Sequence, residues 1–101
     1  MKEGCSKTLR VGILEIELHI PGNNSLKGKR RVVKSVKDRV RSRFNVSVAE
    51  VARHDEYRVA VLGVSAVSND TRHLNQMLSK VVNLIEGISE AELVDYRLEM
   101  L

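Results

Sequence analysis

The stretch Leu14–Val51, LEIELHIPGNNSLKGKRRVVKSVKDRVRSRFNVSVAEV, decides the fold. It opens with alternation: Leu14, Ile16, Leu18 and Ile20 fall on one face, Glu15, Glu17 and His19 on the other. A period of two marks a half-buried strand, and its span runs from Leu9 to Ile20. Pro21-Gly22-Asn23-Asn24 is a turn cluster that ends it. Ser25 then offers a hydroxyl N-cap for a helix. Leu26, Val33, Val36, Val40 and Phe44 recur at helical spacing and form one apolar stripe. The β-branched residues are mediocre helix formers, so packing of that stripe must hold the helix in place. Gly28 stands where a Glu would complete a capping box, which predicts either a frayed first turn or a backbone that something approaches closely. Val46–Arg53 returns to strand character.

Working outward, residues 1–8 read as a loose tail ahead of a single domain over 9–101. Ala52–Tyr57 is a polar connection, and Arg58–Val67 is a third strand that is apolar on both faces. Such a strand usually lies centrally and is covered on both sides. Asn69 and Asp70 offer a cap for a second helix with the stripe Leu74, Met77, Leu78, Val81 and Ile85, and Gly87 is its stop. Glu92–Leu101 is the last strand, with Val94, Tyr96, Leu98 and Met100 expected on the inner face and Asp95, Arg97 and Glu99 outside. Two interleaved right-handed βαβ units in the order strand, helix, strand, strand, helix, strand predict an α+β, ferredoxin-like βαββαβ sandwich. It has a four-stranded antiparallel sheet with its first and third strands central and two helices on one face.

Composition narrows the function classes. At 101 residues the chain is one domain by size, and its 43% apolar content is ordinary for a soluble globule. No apolar run approaches the roughly 18 residues of a membrane span. The MKEGCSKTL start has no apolar core of a secretory signal. Cys5 is the only cysteine, which excludes an intramolecular disulfide and suits a reducing cytoplasm.

Charge is the strongest functional signal. Between Leu26 and Arg43 stand nine basic residues and one acid, Asp38, a charge of +8 on a chain whose formal net charge is +4. Lys27, Lys34 and Arg41 stack as one line on the helix. Arg30 and Lys37 lie beside it, nearer the buried stripe, and Arg31 lies on its outer side. Lys29 and Arg43 are expected at the opposite edge. A solvated helix face normally mixes signs to form i,i+4 pairs. Unbalanced cations repel one another, and a polyanion converts that cost into affinity through counter-ion release. The expected partner is structured RNA or a ribosome, contacted at phosphates by Lys27, Arg30, Arg31, Lys34, Lys37 and Arg41. Arg53 and Arg58, at the ends of the second hairpin, would extend the footprint.

The run GILEIELHIPGNNSLKGKRRVVKSVKDRVRSRFNVSVAEV, followed by LGVSAVSND, resembles the YlxP-like family of small bacterial proteins. The family pattern is carried by Val11–Leu18, Ser25–Arg30, Arg43–Glu50 and Ser68–Asp70. The resemblance implies the ferredoxin-like fold and a gene that often lies among translation and ribosome-assembly genes. It implies no catalytic residue. The chain departs from the pattern at Gly28, where the family usually has Glu, and in its longer lead-in before Leu9.

Other readings are weaker. Glu15, Glu17 and His19 share a strand face and could support acid–base work or a metal, but a polar outer face accounts for them. His54 and His73 show no ligand spacing with His19. Acylphosphatases share the expected topology, yet IPGNNSLKGKR lacks their glycine-rich phosphate loop. The open sheet face is acidic and has no stacking aromatics, unlike the sheet of RNA-binding modules of this topology. The expectation is therefore a non-catalytic protein without cofactor, metal or small-molecule substrate. Val11 and Ile13 on the open face, with the two-sided third strand, point to a homodimer through that face or a sheet edge. The alternative function is a self-associating regulatory or scaffold module working through the open sheet.

Overall fold

A computed structural model describes residues 8–101. The expected tail over 1–8 therefore lies almost wholly outside the described residues. The elements are β1 (Arg10–His19), α1 (Leu26–Arg43), β2 (Ser47–Ala52), β3 (Val59–Ser68), α2 (Thr71–Glu86) and β4 (Glu92–Met100). Strand boundaries shift by a residue or two from the sequence reading, as fraying ends usually do.

The sheet is antiparallel, in the order β2-β3-β1-β4. Both helices pack on one face, and this is the ferredoxin-like α+β sandwich. Leu14, Ile16, Leu18, Ala60, Leu62 and Val64 from the two central strands meet Val33, Val36 and Val40 of α1 and Leu74, Leu78, Val81 and Ile85 of α2. Phe44 and Met77 close the margins of this core. Gly12 faces it too: an added Cβ would lie 2.8 Å from Leu78 Cδ1 and 3.3 Å from the end of Met100. Leu78 is fully buried and has little room to yield. Gly12→Ala should therefore lower stability by about 1–2 kcal/mol through overpacking, read as a drop in thermal midpoint.

The helix starts are built from local chemistry. Ser25 Oγ accepts from the Gly28 N–H at 3.0 Å, and Asp70 Oδ1 accepts from Arg72 N–H at 2.9 Å. Of the two outcomes expected at Gly28, close approach is the one found. A Cβ there would collide with Asn23 Oδ1. The Asn23 amide is itself fixed, donating to the carbonyls of Ser25 (2.9 Å) and Tyr57 (2.5 Å).

Three expectations are corrected. Val94 does not face the core, and Tyr96, though opposite Ile16 on the inner face, is half exposed at the sheet edge. A bulge in the β1–β4 pairing leaves Leu93 opposite Leu18 and Asp95 opposite Glu17, so Val94 is the extra residue. Leu93, Leu98 and Met100 pack on the core, while Val94 and Tyr96 are 42% and 50% exposed on the edge strand. Nor is β3 covered on both sides. It is central, but no element of the described residues lies over its second face, and Val67 is exposed. Lys29 is not on the surface. It occupies the apolar stripe, three residues after Leu26 and four before Val33, and is 1% exposed.

Candidate nucleic-acid interface

Buried Lys29 needs partners, because an unpaired charge inside a protein is strongly unfavourable. Its Nζ donates to the Arg53 carbonyl at 2.7 Å and lies 2.8 Å from Glu50 Oε2. The Glu50 contact is an ion pair without directional hydrogen-bond geometry, since that oxygen has no hydrogen-bond partner. The Arg53 carbonyl also accepts the Glu56 N–H at 3.2 Å. These bonds hold Arg53 in a left-handed backbone, φ 59°, a conformation that is costly for a residue with a side chain. Lys29 thus ties the first turn of α1 to the end of β2.

The same packing orients the remaining charges. With Val33, Val36 and Val40 turned into the core, Arg30, Lys34, Lys37 and Arg41 fall on the flank of α1 that overhangs β2. They line a groove of about 340 Å³, together with Val33, Asp38 and Glu50. From Arg30 to Arg41 the row is roughly 16 Å long at the rise of an α-helix. Lys34 is largely exposed and bonds Asp38 Oδ2 at 2.8 Å. That hydrogen bond, with the nearby Lys34, Arg41 and Lys37 charges, holds the Asp38 carboxyl below the usual carboxylate range. Arg41 donates Nη2 to the Val48 carbonyl at 2.8 Å. Arg30 and Lys37 have no ion-pair partner among the described residues.

The other four residues expected at phosphates are placed differently. Lys27 and Arg31 are exposed but do not line the groove. Arg53 turns toward the open sheet face, with Nε 2.6 Å from Glu56 and Nη1 3.8 Å from Glu17. Arg58 donates Nε to the Asn23 carbonyl at 2.8 Å and fastens the β1–α1 turn. Sequence reasoning missed Lys29 and Glu50 as the groove's support. The available signal was the gap in the apolar stripe between Leu26 and Val33.

The opposite side of the sheet has the reverse character. Glu15 faces Arg97 at 3.9 Å, and Glu17 is hydrogen-bonded to His19 at 2.9 Å. No cluster of three or more His, Cys, Asp and Glu side chains among the described residues could hold a metal ion. Ile13, Ala49, Val51 and Gly63 line a trough of about 440 Å³ on this face. No helix among the described residues is long and apolar enough to cross a membrane.

The fold and groove define a small ferredoxin-like α+β domain with one cationic helix flank. The chain belongs to the family described as protein of unknown function (DUF503), whose model matches residues 11–98. It is 34% identical over 82 residues to the uncharacterized protein YlxP of Bacillus subtilis (strain 168), covering 81% of this chain and 89% of that one. Among solved structures it is similar to the de novo designed protein Foldit4, with a TM-score of 0.54 and 15% identity over 92% of this chain and 96% of that one. PA3566 from Pseudomonas aeruginosa matches with a TM-score of 0.53 and 16% identity, over 97% and 96% of the two chains. At these identities the structural likenesses concern the fold alone.

Proposed function

We propose that this protein is a non-catalytic accessory factor that binds the phosphate backbone of structured RNA, in translation or ribosome assembly, through the α1–β2 groove. The observation that carries the reading is the gathering of Arg30, Lys34, Lys37 and Arg41 on one rigid flank with only Asp38 and Glu50 as acids. Glu50 is already matched by Lys29, so the groove keeps a net positive charge. The groove lining holds no aromatic side chain. Single-stranded RNA is usually read by stacking on aromatics, whereas duplex RNA is held through phosphates and shape. A base-paired stem is therefore the better substrate. The acidic β1 and β4 residues of the open face would repel the same ligand and restrict it to the helical side. The gene neighbourhood implied by the family resemblance supports the translation context.

Asp38 gives a directional test. Asp38→Asn removes the acid that shares Lys34, so affinity for a short RNA hairpin should rise. The slope of log affinity against log salt should steepen by up to about 0.9. Fluorescence anisotropy across a salt series reads both. Unchanged or weaker binding would place the RNA elsewhere. A scaffold module working through the open sheet remains the second reading, favoured by the apolar trough around Gly63 and Val51.

A further inference from the structure

The two edges of the sheet are finished differently. Leu101 N–H donates to the Val11 carbonyl at 2.8 Å. In the antiparallel ladder this sets Glu99, Arg97 and Asp95 to bond β1, and leaves the backbones of Tyr96, Leu98 and Met100 facing outward. On the far edge, the pairing of Ser47 with Ser65 and Ala49 with Gly63 leaves Val48 and Glu50 facing outward. Both of those β2 carbonyls carry side chains. Arg41 donates to Val48 O at 2.8 Å, and His54 Nε2 lies 3.2 Å from Glu50 O. The β2 edge is thus closed to a further strand. The β4 edge runs for nine residues and has one local cap, the Asp95 carboxylate on the Tyr96 N–H at 2.9 Å. Val94 and Tyr96 lie exposed along it. A long strand edge with exposed apolar side chains is a template for pairing.

We infer that the β4 edge pairs antiparallel with β4 of a second copy of this chain, in the register that sets Tyr96 opposite Tyr96. The charge pattern of the strand fits this partner and this register. With Tyr96 on the two-fold axis, Asp95 stands opposite Arg97 of the second copy, and Arg97 opposite its Asp95. Val94 and Leu98 oppose one another in the same reciprocal way. A two-fold interface must be self-complementary, and opposite charges on directly facing strand positions are favourable. The neighbouring register centred on Arg97 would set two arginines face to face. Arg97 is available, being 73% exposed in its side chain and no nearer than 3.9 Å to Glu15 or Glu99. Asp95 would exchange its cap on Tyr96 N–H for the Arg97 guanidinium of the other copy, releasing that N–H to the new ladder. The result is an eight-stranded sheet roughly 38 Å wide at the usual strand spacing. It carries both α1 helices on one face, at its two ends. This assembly does not depend on the RNA reading.

A single strand pair buries less than a standard interface, so the association should fall in the micromolar range. Sedimentation equilibrium of the full chain, over about 1–500 µM to span that range, should show a reversible monomer–dimer equilibrium. Asp95→Arg and Arg97→Asp, each placing like charges opposite one another, should sediment as monomers. The double swap Asp95→Arg/Arg97→Asp should restore the dimer, because the pairing is re-formed with its signs exchanged. Circular dichroism should show all three variants folded, since both side chains lie on the exposed edge. A wild-type monomer throughout, a dimer indifferent to the single changes, or a double variant that stays monomeric would each overturn the register.

Discussion

Lys29→Met should cost the fold about 3 kcal/mol, more than any other single polar change considered for α1. Removing one partner of a buried ion pair costs about 3–5 kcal/mol because the other charge is left without compensation. Glu50 retains some solvent contact, at 18% side-chain exposure, which places the value at the lower end. The Arg53 carbonyl also loses its lysine donor, and an unsatisfied buried acceptor costs about 1–3 kcal/mol. The Glu56 N–H remains on that carbonyl, so only part of this loss is felt. The companion double variant Lys29→Met/Glu50→Leu should recover most of the stability, since an apolar pair of similar volume replaces a buried ion pair at little cost. Urea unfolding of the wild type, both single variants and the double variant closes a mutant cycle. A coupling of about 2 kcal/mol or more is expected between residues in direct contact. Additive effects would mean that Lys29 is merely a long side chain filling space.

This buried pair also marks where the sequence stopped being readable. The order of elements, the central placement of β1 and β3, and both helix caps rest on local signals: a period of two, an apolar helical stripe, and Ser25 and Asp70 at their caps. They were legible for that reason. Lys29 sits at an apolar position of the same stripe, but a lysine within a basic run reads as one more surface charge. Only the approach of Glu50 and the Arg53 carbonyl, from a strand twenty residues on, makes its burial tolerable. Val94 was misplaced because alternation along a strand assumes regular pairing, whereas Tyr96 keeps its inner-face register opposite Ile16 and is exposed because β4 is an edge strand. A one-residue bulge reverses the facing of everything beyond it, and nothing in ELVDYRLEM announces one. Gly28 was legible as a close approach in kind, though not in partner. Of the eight cations expected at phosphates, the groove gathers Arg30, Lys34, Lys37 and Arg41. Arg53 and Arg58 are engaged by acids and carbonyls that lie far from them in sequence or arrive through a turn.

Reversing two charges of the groove should have the largest effect on binding. Lys34→Glu with Lys37→Glu removes two phosphate partners and adds two repulsive carboxylates. Each contact to a duplex contributes a log–log salt slope of about −0.9, which amounts to roughly tenfold in affinity at 50 mM salt when extrapolated from 1 M. The double reversal should therefore weaken binding to an RNA hairpin by about 100-fold or more. Stability should change little, because Lys34 is 76% exposed in its side chain and Lys37 belongs to no ion pair among the described residues. Lys27→Glu with Arg31→Glu changes the net charge of the chain by the same amount outside the groove. It should weaken binding far less. Equal losses from the two pairs would indicate a response to net charge without a site.

The most direct measurement is the affinity of the wild-type chain for a base-paired RNA hairpin as a function of salt, followed by anisotropy alongside the Lys34→Glu/Lys37→Glu variant. Lys34 is shared with Asp38 and Arg41 with the Val48 carbonyl, so two to three effective phosphate contacts are expected. Affinity should then fall by about 12- to 40-fold between 50 and 200 mM salt, and the reversal should flatten that dependence. Binding that is absent at 50 mM salt, or equally steep in the reversed variant, would contradict the assignment of the α1–β2 groove as an RNA-binding surface.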